Sequence, residues 1–436
     1  MSVIAPKFRL GYLIKGIIDN IFWIIILVTL IGIPIVQIVL IFIDFPIIDG
    51  EIWNPFRILD ALTHPERALP LVTSFLQSDL FKVVAFPGFG FAALIAAATI
   101  FIERKMLAKL QLRVGPFYCG KVEGILQLMA DGLKLISKEI IIPAKADKPL
   151  FWAAPVLFAA TSAAFIALIP VAPGWVVADI DLGLLAVFAV IGFFPIITIL
   201  AGWSSNSKFP FIGGIRALYQ MVSFEIPLIL SLLGIVMLTG TLSLVEIVES
   251  QVNFPWIIFM PIGAIVFFIC ILAELERIPF DLPEAESEIV AGWLTEFSGM
   301  MYGLVQLGSY LKLYAFAALF VVLFLGGWNG PWFFPIEPMA EIITDGIVLM
   351  PDALVIKDIP GLPLFSQEMI NGTIWFVLKT VGVIFFILLP RGVFPRVRID
   401  LLLKIGWYKL IVLAFVNIFI ALALVYGGII GPGGIL

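Results

Sequence analysis

Nine stretches of this chain run almost without charge for long enough to cross a lipid bilayer, and they restrict its fold more than any motif does. They fall near residues 21–43, 83–102, 149–172, 182–203, 217–240, 254–273, 300–327, 373–390 and 410–429. A helix needs about 20 apolar residues to cross roughly 30 Å of hydrocarbon. Of the 436 residues 62% are hydrophobic and only 13% charged, with a mean hydropathy of +1.14. A soluble domain carries roughly twice that charged fraction. A core cannot absorb the surplus, so lipid must be the solvent. The expected fold is all-α and integral to the membrane, with about nine transmembrane helices. The first run, 23 uncharged residues over 21–43, is too long for the apolar core of a signal peptide and reads as a retained span.

Charge then sets the orientation. If the N-terminus lies inside, the segments 103–148, 204–216, 274–299 and 391–409 lie inside with it. Twenty lysines and arginines fall in these inside segments and four in the outside ones, while Lys312 and Lys379 lie within spans. That asymmetry follows the positive-inside rule. Two outside segments, 44–82 and 328–372, are long and rich in proline, aspartate and glutamate; they read as loops or short surface helices. No internal repeat is apparent, which argues against a transporter built from inverted repeats.

Several chemistries are excluded by what the chain holds. Cys119 and Cys270 form no Cys-x-x-Cys pair, and His64 is the sole histidine, so no iron–sulfur cluster, bis-histidine haem or histidine-based zinc site is expected. There is no P-loop and no dinucleotide-binding glycine fingerprint. The net charge of −5 comes with no basic tract apart from the spans, so no nucleic-acid partner is expected. Metal and nucleotide binding are therefore not expected of this chain, and any electron carrier must sit on a partner.

The inside segments hold the informative polar residues. From Lys121 to Lys138, Glu123, Gln127, Asp131, Lys134 and Lys138 recur every three or four positions, opposite a stripe of Val122, Ile125, Leu126, Met129, Leu133 and Ile136. This pattern predicts an amphipathic helix lying in the interface. A plain surface anchor has the same pattern. Arg104 and Arg113, near the end of the preceding span, serve equally as positive-inside anchors or as a grip on the polar head of a ligand entering from the lipid.

The segment 274–299 is more unusual. It holds seven carboxylates, Glu274, Glu276, Asp281, Glu284, Glu286, Glu288 and Glu296, with Arg277 as its only base. Ile278, Phe280, Leu282, Ile289, Val290 and Trp293 interleave with them and predict partial burial. Glu284 and Glu288 would share one face of a helix and repel. Crowded carboxylates with little hydration raise one another's pKa, so the cluster can store and relay protons; a solvated loop is the plainer alternative. Glu225 lies inside a span, where a carboxylate reads as functional, and Arg216 is its expected partner. Lys312 sits mid-span, where a structural salt bridge is an equal alternative.

These same residues carry a family resemblance. The segments at 124–135, 138–149, GGIRALYQMVSFEIPL (213–228), ERIPFDLPEAESEIVAGWLTEFSGM (276–300), LFLGGW (323–328) and PRVRIDLLLKIGW (395–407) resemble the membrane subunit that lines the quinone chamber of proton-pumping respiratory complex I and its relatives. The resemblance covers about 83–429 and implies an eight-helix quinone-chamber domain there. Residues 1–82 would be an N-terminal extension with one extra transmembrane helix and an outside loop. It implies that quinone enters from the bilayer past the first family helix and the amphipathic helix, and is reduced by an iron–sulfur cluster on a soluble partner. By the same resemblance Arg104, Arg113, Asp131 and Lys134 line the chamber or its mouth. Glu139, Arg216, Glu225, Glu276, Arg277, Asp281, Glu284, Glu286, Glu288 and Glu296 form a funnel leading protons toward antiporter-like subunits. Implied partners are the soluble iron–sulfur and quinone-site subunits of the peripheral arm, other small membrane subunits and the bilayer of an energy-converting membrane, either a prokaryotic plasma membrane or a thylakoid-type one.

The chain departs from the family at Gly308-Ser309-Tyr310, where many members carry an acidic residue before the tyrosine; Lys312 is a conceivable substitute. The G-S-Y form resembles the photosynthetic, ferredoxin-using branch. Three other readings compete: the same scaffold in a membrane-bound hydrogenase-type ion pump, a secondary transporter, and a structural anchor for a soluble dehydrogenase. The charge asymmetry yields a direct test. In a background lacking Cys119 and Cys270, a Glu286→Cys protein should react with a membrane-impermeant thiol reagent in inverted vesicles and not in intact cells. Labelling from outside would overturn the orientation.

Overall fold

The computed structural model describes residues 79–119, 124, 126–283, 286–331 and 367–427. The described residues are helical throughout their regular structure, with one isolated bridge between Ala172 and Trp175. Ten helices matter here: α1 (Phe89–Leu110), α2 (Gln127–Ser137), α3 (Lys148–Ala167), α4 (Gly183–Ile191), α5 (Phe193–Ser204), α6 (Lys208–Thr239), α7 (Pro261–Glu274), α8 (Gly299–Phe324), α9 (Gln367–Leu388) and α10 (Ile411–Tyr426). Seven helical segments among the described residues are long and apolar enough to cross a membrane: Phe81–Leu110, Lys148–Ala167, Gly183–Ser204, Lys208–Thr239, Gly299–Phe324, Met369–Val393 and Ile399–Tyr426. The span expected at 21–43 lies outside the described residues.

The boundaries differ from the hydropathy reading for local reasons. The run at 254–273 becomes helical only at Pro261 and gives a helix of 14 residues, about 21 Å long at 1.5 Å per residue. A residue preceding proline is pushed out of the α region, and Met260 has φ −125° and ψ 54°. The run at 217–240 is instead the end of a 32-residue helix beginning at Lys208, so most of the expected inside loop 204–216 is helix. This helix stops where Gly240 takes a left-handed φ of 74°. Part of the expected loop 391–409 is also helical, as Ile399–Lys404 and a π-helical turn, Ile405–Leu410, lead directly into α10.

Helix α8 is the central post. In its most apolar window 83% of residues are buried, against 22% for the last span. It packs on α3, α9, α1 and α7. Gly308 permits the closest of these approaches, since a Cβ there would stand 2.7 Å from the Phe158 ring of α3. Large apolar side chains such as Leu94, Ile196, Phe386 and Phe419 remain exposed, which is the outward face expected of a chain solvated by lipid.

Two of the segments expected inside take defined form. Of the segment 121–138, expected as an amphipathic helix, Gln127–Ser137 is helical as α2, which has no buried residue and leaves Met129 and Leu133 exposed; residues 120–123 and 125, with Val122, Glu123 and Ile125, lie outside the described residues. The acidic segment folds back over α6 through a one-turn helix, Glu286–Ile289, and a 3₁₀ turn, Gly292–Leu294. Gly213 makes this docking possible, because a Cβ there would lie 2.6 Å from the backbone nitrogen of Trp293. Phe280, Leu282, Ile289 and Trp293 are buried as expected. Val290 is not: it is 56% exposed, turned outward by a positive φ of 65°.

Candidate functional site

About two turns before the end of α1, Glu103 is 2% exposed. Its Oε1 accepts a hydrogen bond from Arg277 at 2.6 Å and a second from Arg391. Tyr310 of α8 donates to its Oε2 at 2.9 Å. The Arg277 guanidinium also lies over the Tyr310 ring, 5.0 Å from its centroid, a cation–π contact. One carboxylate thus ties the end of α1 to the acidic segment, to α8 and to the segment after α9. Burying a carboxylate is strongly unfavourable unless it is paired and hydrogen-bonded, and Glu103 meets both conditions.

A second pair extends this lattice. Arg396 donates to Asp281 at 3.0 Å, and the backbone amide of Val397 donates to the Pro279 carbonyl at 3.0 Å. Burial pushes the Asp281 carboxyl up, opposed by the hydrogen bond and charge of Arg396 and by the charges of Arg391 and Arg277; the balance stays above the ordinary aspartate value. Arg277 is the only base of its own segment, yet Arg391 and Arg396 enter from another to share the carboxylates.

Below this layer Glu274 ends α7 and is 1% exposed. Lys312 of α8, 2% exposed, donates to its main-chain oxygen at 2.7 Å and reaches its Oε2 at 3.5 Å. A cavity of about 140 Å³ lies among Glu274, Glu276, Arg277, Asp281, Ser309, Tyr310, Lys312 and Arg391. A water occupies about 30 Å³ in the liquid, so the space suits a few waters.

The structure distributes the sequence-derived residues over three places. Glu276, Arg277 and Asp281 line the cavity, and Trp293 Nε1 donates to Glu276 at 3.3 Å. Arg104 and Asp131 meet on the outside of α1 and α2, at 2.5 Å. Burial pushes Asp131 up, but hydrogen bonds from Arg104 and Gln127 and the charges of Arg104 and Lys134 outweigh it and hold the carboxyl below its ordinary value. Lys134, Arg113 and Glu139 are exposed, and Glu296 is half-buried outside the cavity lining. Arg216 does not meet Glu225 as expected. It pairs at 2.6 Å with Glu288, itself 53% exposed. Arg216 and Glu225 are nine positions apart on one helix, about 13 Å along its axis. Glu225 is half-buried, with its Oε1 against Gly192 between α4 and α5. Glu284 and the side chain of Glu286 lie outside the described residues.

Sequence reasoning passed over Glu103, Arg391 and Arg396. A carboxylate flanked by Arg104 and Lys105 at a span end reads as an ordinary boundary. The signal available was the imbalance of seven carboxylates against one arginine within 274–299, which calls for bases from elsewhere.

A bundle of membrane-length helices closed at one end by interlocked arginine–carboxylate pairs around a small cavity defines a polytopic membrane protein with a polar working end. The sequence profile of the NADH dehydrogenase family matches residues 83–422, and the chain belongs to that family. Among its relatives are the NADH-quinone oxidoreductase subunits, designated H, of Bacillus thuringiensis (strain Al Hakam), Bacillus cereus (strain AH187) and Bacillus anthracis (strain A0248). Each is 40% identical over 357 residues, covering 80% of this chain and 97% of the relative.

The Glu103 junction generates a stability test. Removing one member of a buried ion pair costs about 3–5 kcal/mol because a charge is left behind. Glu103→Leu should therefore lower the thermal midpoint of the purified protein more than the double change Glu103→Leu with Arg277→Met, a non-additive result read from a double-mutant cycle. Additive losses would show that the two residues do not act as a unit.

Proposed function

We propose that this chain is the membrane subunit of a complex I-type oxidoreductase that forms the quinone-access chamber and couples quinone reduction to proton translocation through its acidic segment. Family membership carries the oxidoreductase part of this reading. The charged cavity beneath Arg277 carries the coupling part. That cavity is far smaller than the 300–1,000 Å³ typical of small-molecule sites, and its lining is charged. It fits a proton path better than a quinone ring, and in this reading the quinone head is held jointly with a soluble partner.

Quinone access is assigned to the outer side of α1 and α2. There the Arg104–Asp131 pair joins α1 to α2, while Leu110 on α1 and, on the opposite face of α2, Met129 and Leu133 are exposed apolar residues. An apolar tail can lie along such a surface while the guanidinium meets polar head oxygens. Helix α2, with its apolar stripe open, then lies in the membrane interface. The acidic segment and the N-terminus face the cytoplasm. Residues 1–82 add a further span outside the quinone-chamber domain. Partners are the soluble iron–sulfur and quinone-site subunits, small membrane subunits and antiporter-like subunits. Iron–sulfur chemistry belongs to those partners, and quinone is the substrate.

Protons and electrons are coupled in this scheme by electrostatics. Reducing a quinone adds negative charge, and proton uptake near it offsets that charge. Asp281, raised above its ordinary value by burial, needs less driving force to take a proton than a solvated aspartate does. The arginines beside it keep the unloaded form tolerable.

Glutamine in place of glutamate keeps size and hydrogen bonding and removes the titratable proton. The double change Glu284→Gln with Glu288→Gln should lower both quinone reduction and proton pumping of the assembled complex, and by more than the two singles combined, since a neighbouring carboxylate can take over when only one is lost. Arg277→Met should be more damaging than Arg277→Lys. Normal assembly and a wild-type ratio of protons to electrons in the double variant would reduce the segment to a scaffold.

A further inference from the structure

Lys312 lies in the middle of α8, and its burial needs a reason, because a lysine inside an apolar helix is expensive and usually functional. Its bonding is lopsided. Two contacts go to one residue, Glu274: 2.7 Å to the main-chain oxygen and 3.5 Å to Oε2. Charge-assisted hydrogen bonds between ammonium and carboxylate normally measure about 2.7–2.9 Å. Glu274 Oε1 is buried with no hydrogen-bond partner among the described residues. On another side the Lys312 nitrogen faces the ring of Phe194, 4.2 Å from its centroid. A pair built only to pin α7 to α8 would close these contacts; this one leaves the carboxylate loosely held.

The surroundings give the looseness a direction. Lys312 and Glu274 both line the cavity, and Glu225 does not. Glu225, on α6, nevertheless interacts electrostatically with both of them. Glu276 is the third carboxylate acting on Lys312. The Glu225 carboxylate sits at the break between α4 and α5, where the missing side chain of Gly192 leaves it room: a Cβ would stand 3.2 Å from Oε1. Lys312 therefore lies between a polar cavity open to the acidic segment and a carboxylate set inside a span.

We propose that Lys312 is the proton carrier between Glu274 at the cavity and Glu225 beyond it. This rests on the coupling role proposed above and adds a residue that the acidic segment does not contain. The Lys312 ammonium gives a proton to the Glu225 carboxylate, leaving a neutral amine and a neutral acid. Protonated Glu274 then returns a proton to the amine, and its carboxylate is reloaded from the cavity side. Each step breaks one N–H or O–H bond and forms another, and no electron moves. The two transfers inside the trio leave its charge unchanged; reloading Glu274 adds one proton, and Glu225 then releases one on its far side, which restores the starting charge. The flexible four-carbon stem lets the amine turn toward Glu225, and the cavity has room for water on the Glu274 side.

The test uses the assembled complex in proteoliposomes, driven by its electron donor and a short-chain quinone, with the ratio of protons pumped to electrons transferred as the readout. Lys312→Arg keeps the charge and the pairing, but a guanidinium does not release its proton. Lys312→Met with Glu274→Gln removes the pair together, so Glu274 is not left behind as an unpaired buried carboxylate. A carrier predicts that both variants assemble and that pumping falls about tenfold or more. A mere ion pair predicts near-normal pumping in Lys312→Arg and in the double variant, and that result overturns the proposal. Failure of both variants to assemble overturns it as well, since it marks the pair as structural. The Glu284→Gln with Glu288→Gln complex, measured alongside, separates the two ideas. Impaired pumping there with normal pumping in Lys312→Arg discards only the carrier, whereas normal pumping in both discards the coupling role beneath it.

Discussion

Glu103 is a carboxylate inside an apolar helix, about two turns before its end, and buried there it has no water to hold its charge. Its solution is to gather Arg277, Arg391 and Tyr310, which stand 174, 288 and 207 positions away in the sequence. Everything at this end of the bundle follows from that constraint. The acidic segment is drawn over α1, the stretch of chain after α9 is brought beside it, and Arg396 is left within 3.0 Å of Asp281. Removing the carboxylate would leave two guanidinium groups facing each other across an emptied site.

Burial at this junction is graded. Glu103 and Glu274 are essentially sealed, Arg277 is 15% exposed and Glu288 53% exposed. The polar groups thus pass from a solvated rim, through a small cavity, to a buried lysine–carboxylate pair at its inner wall. Such a gradient lets charge added at the rim be felt inside, because screening weakens as water is excluded. Close packing around α8 holds the helices that carry these members in place.

Much of the fold was legible in the sequence because hydropathy is a local property. The long apolar runs from 83 onward each correspond to helix, and the interleaved Phe280, Leu282 and Trp293 are buried as their pattern suggested. The errors arose where one residue outweighs a window. Pro261 delays α7, and Gly326 and Gly327 end the post with φ of 74° and 51°. The site was less legible. Arg277 and Asp281 stood out by composition, but their partners did not, since pairing across hundreds of positions leaves no period to detect. Arg216 and Glu225 are near in sequence, yet on one straight helix residues nine positions apart do not meet, since only those three or four apart are neighbours.

The central claim is that carboxyl groups of this cavity change protonation when quinone is reduced. The infrared difference spectrum between the oxidised-quinone and reduced-quinone states of the intact complex tests it most directly, because a protonated carboxyl has its own carbonyl stretch, distinct from that of a carboxylate. The account predicts a carboxyl band in that spectrum which shifts in deuterated water and changes in an Asp281→Asn or Glu276→Gln complex. A spectrum showing full quinone reduction with no carboxyl band would contradict it.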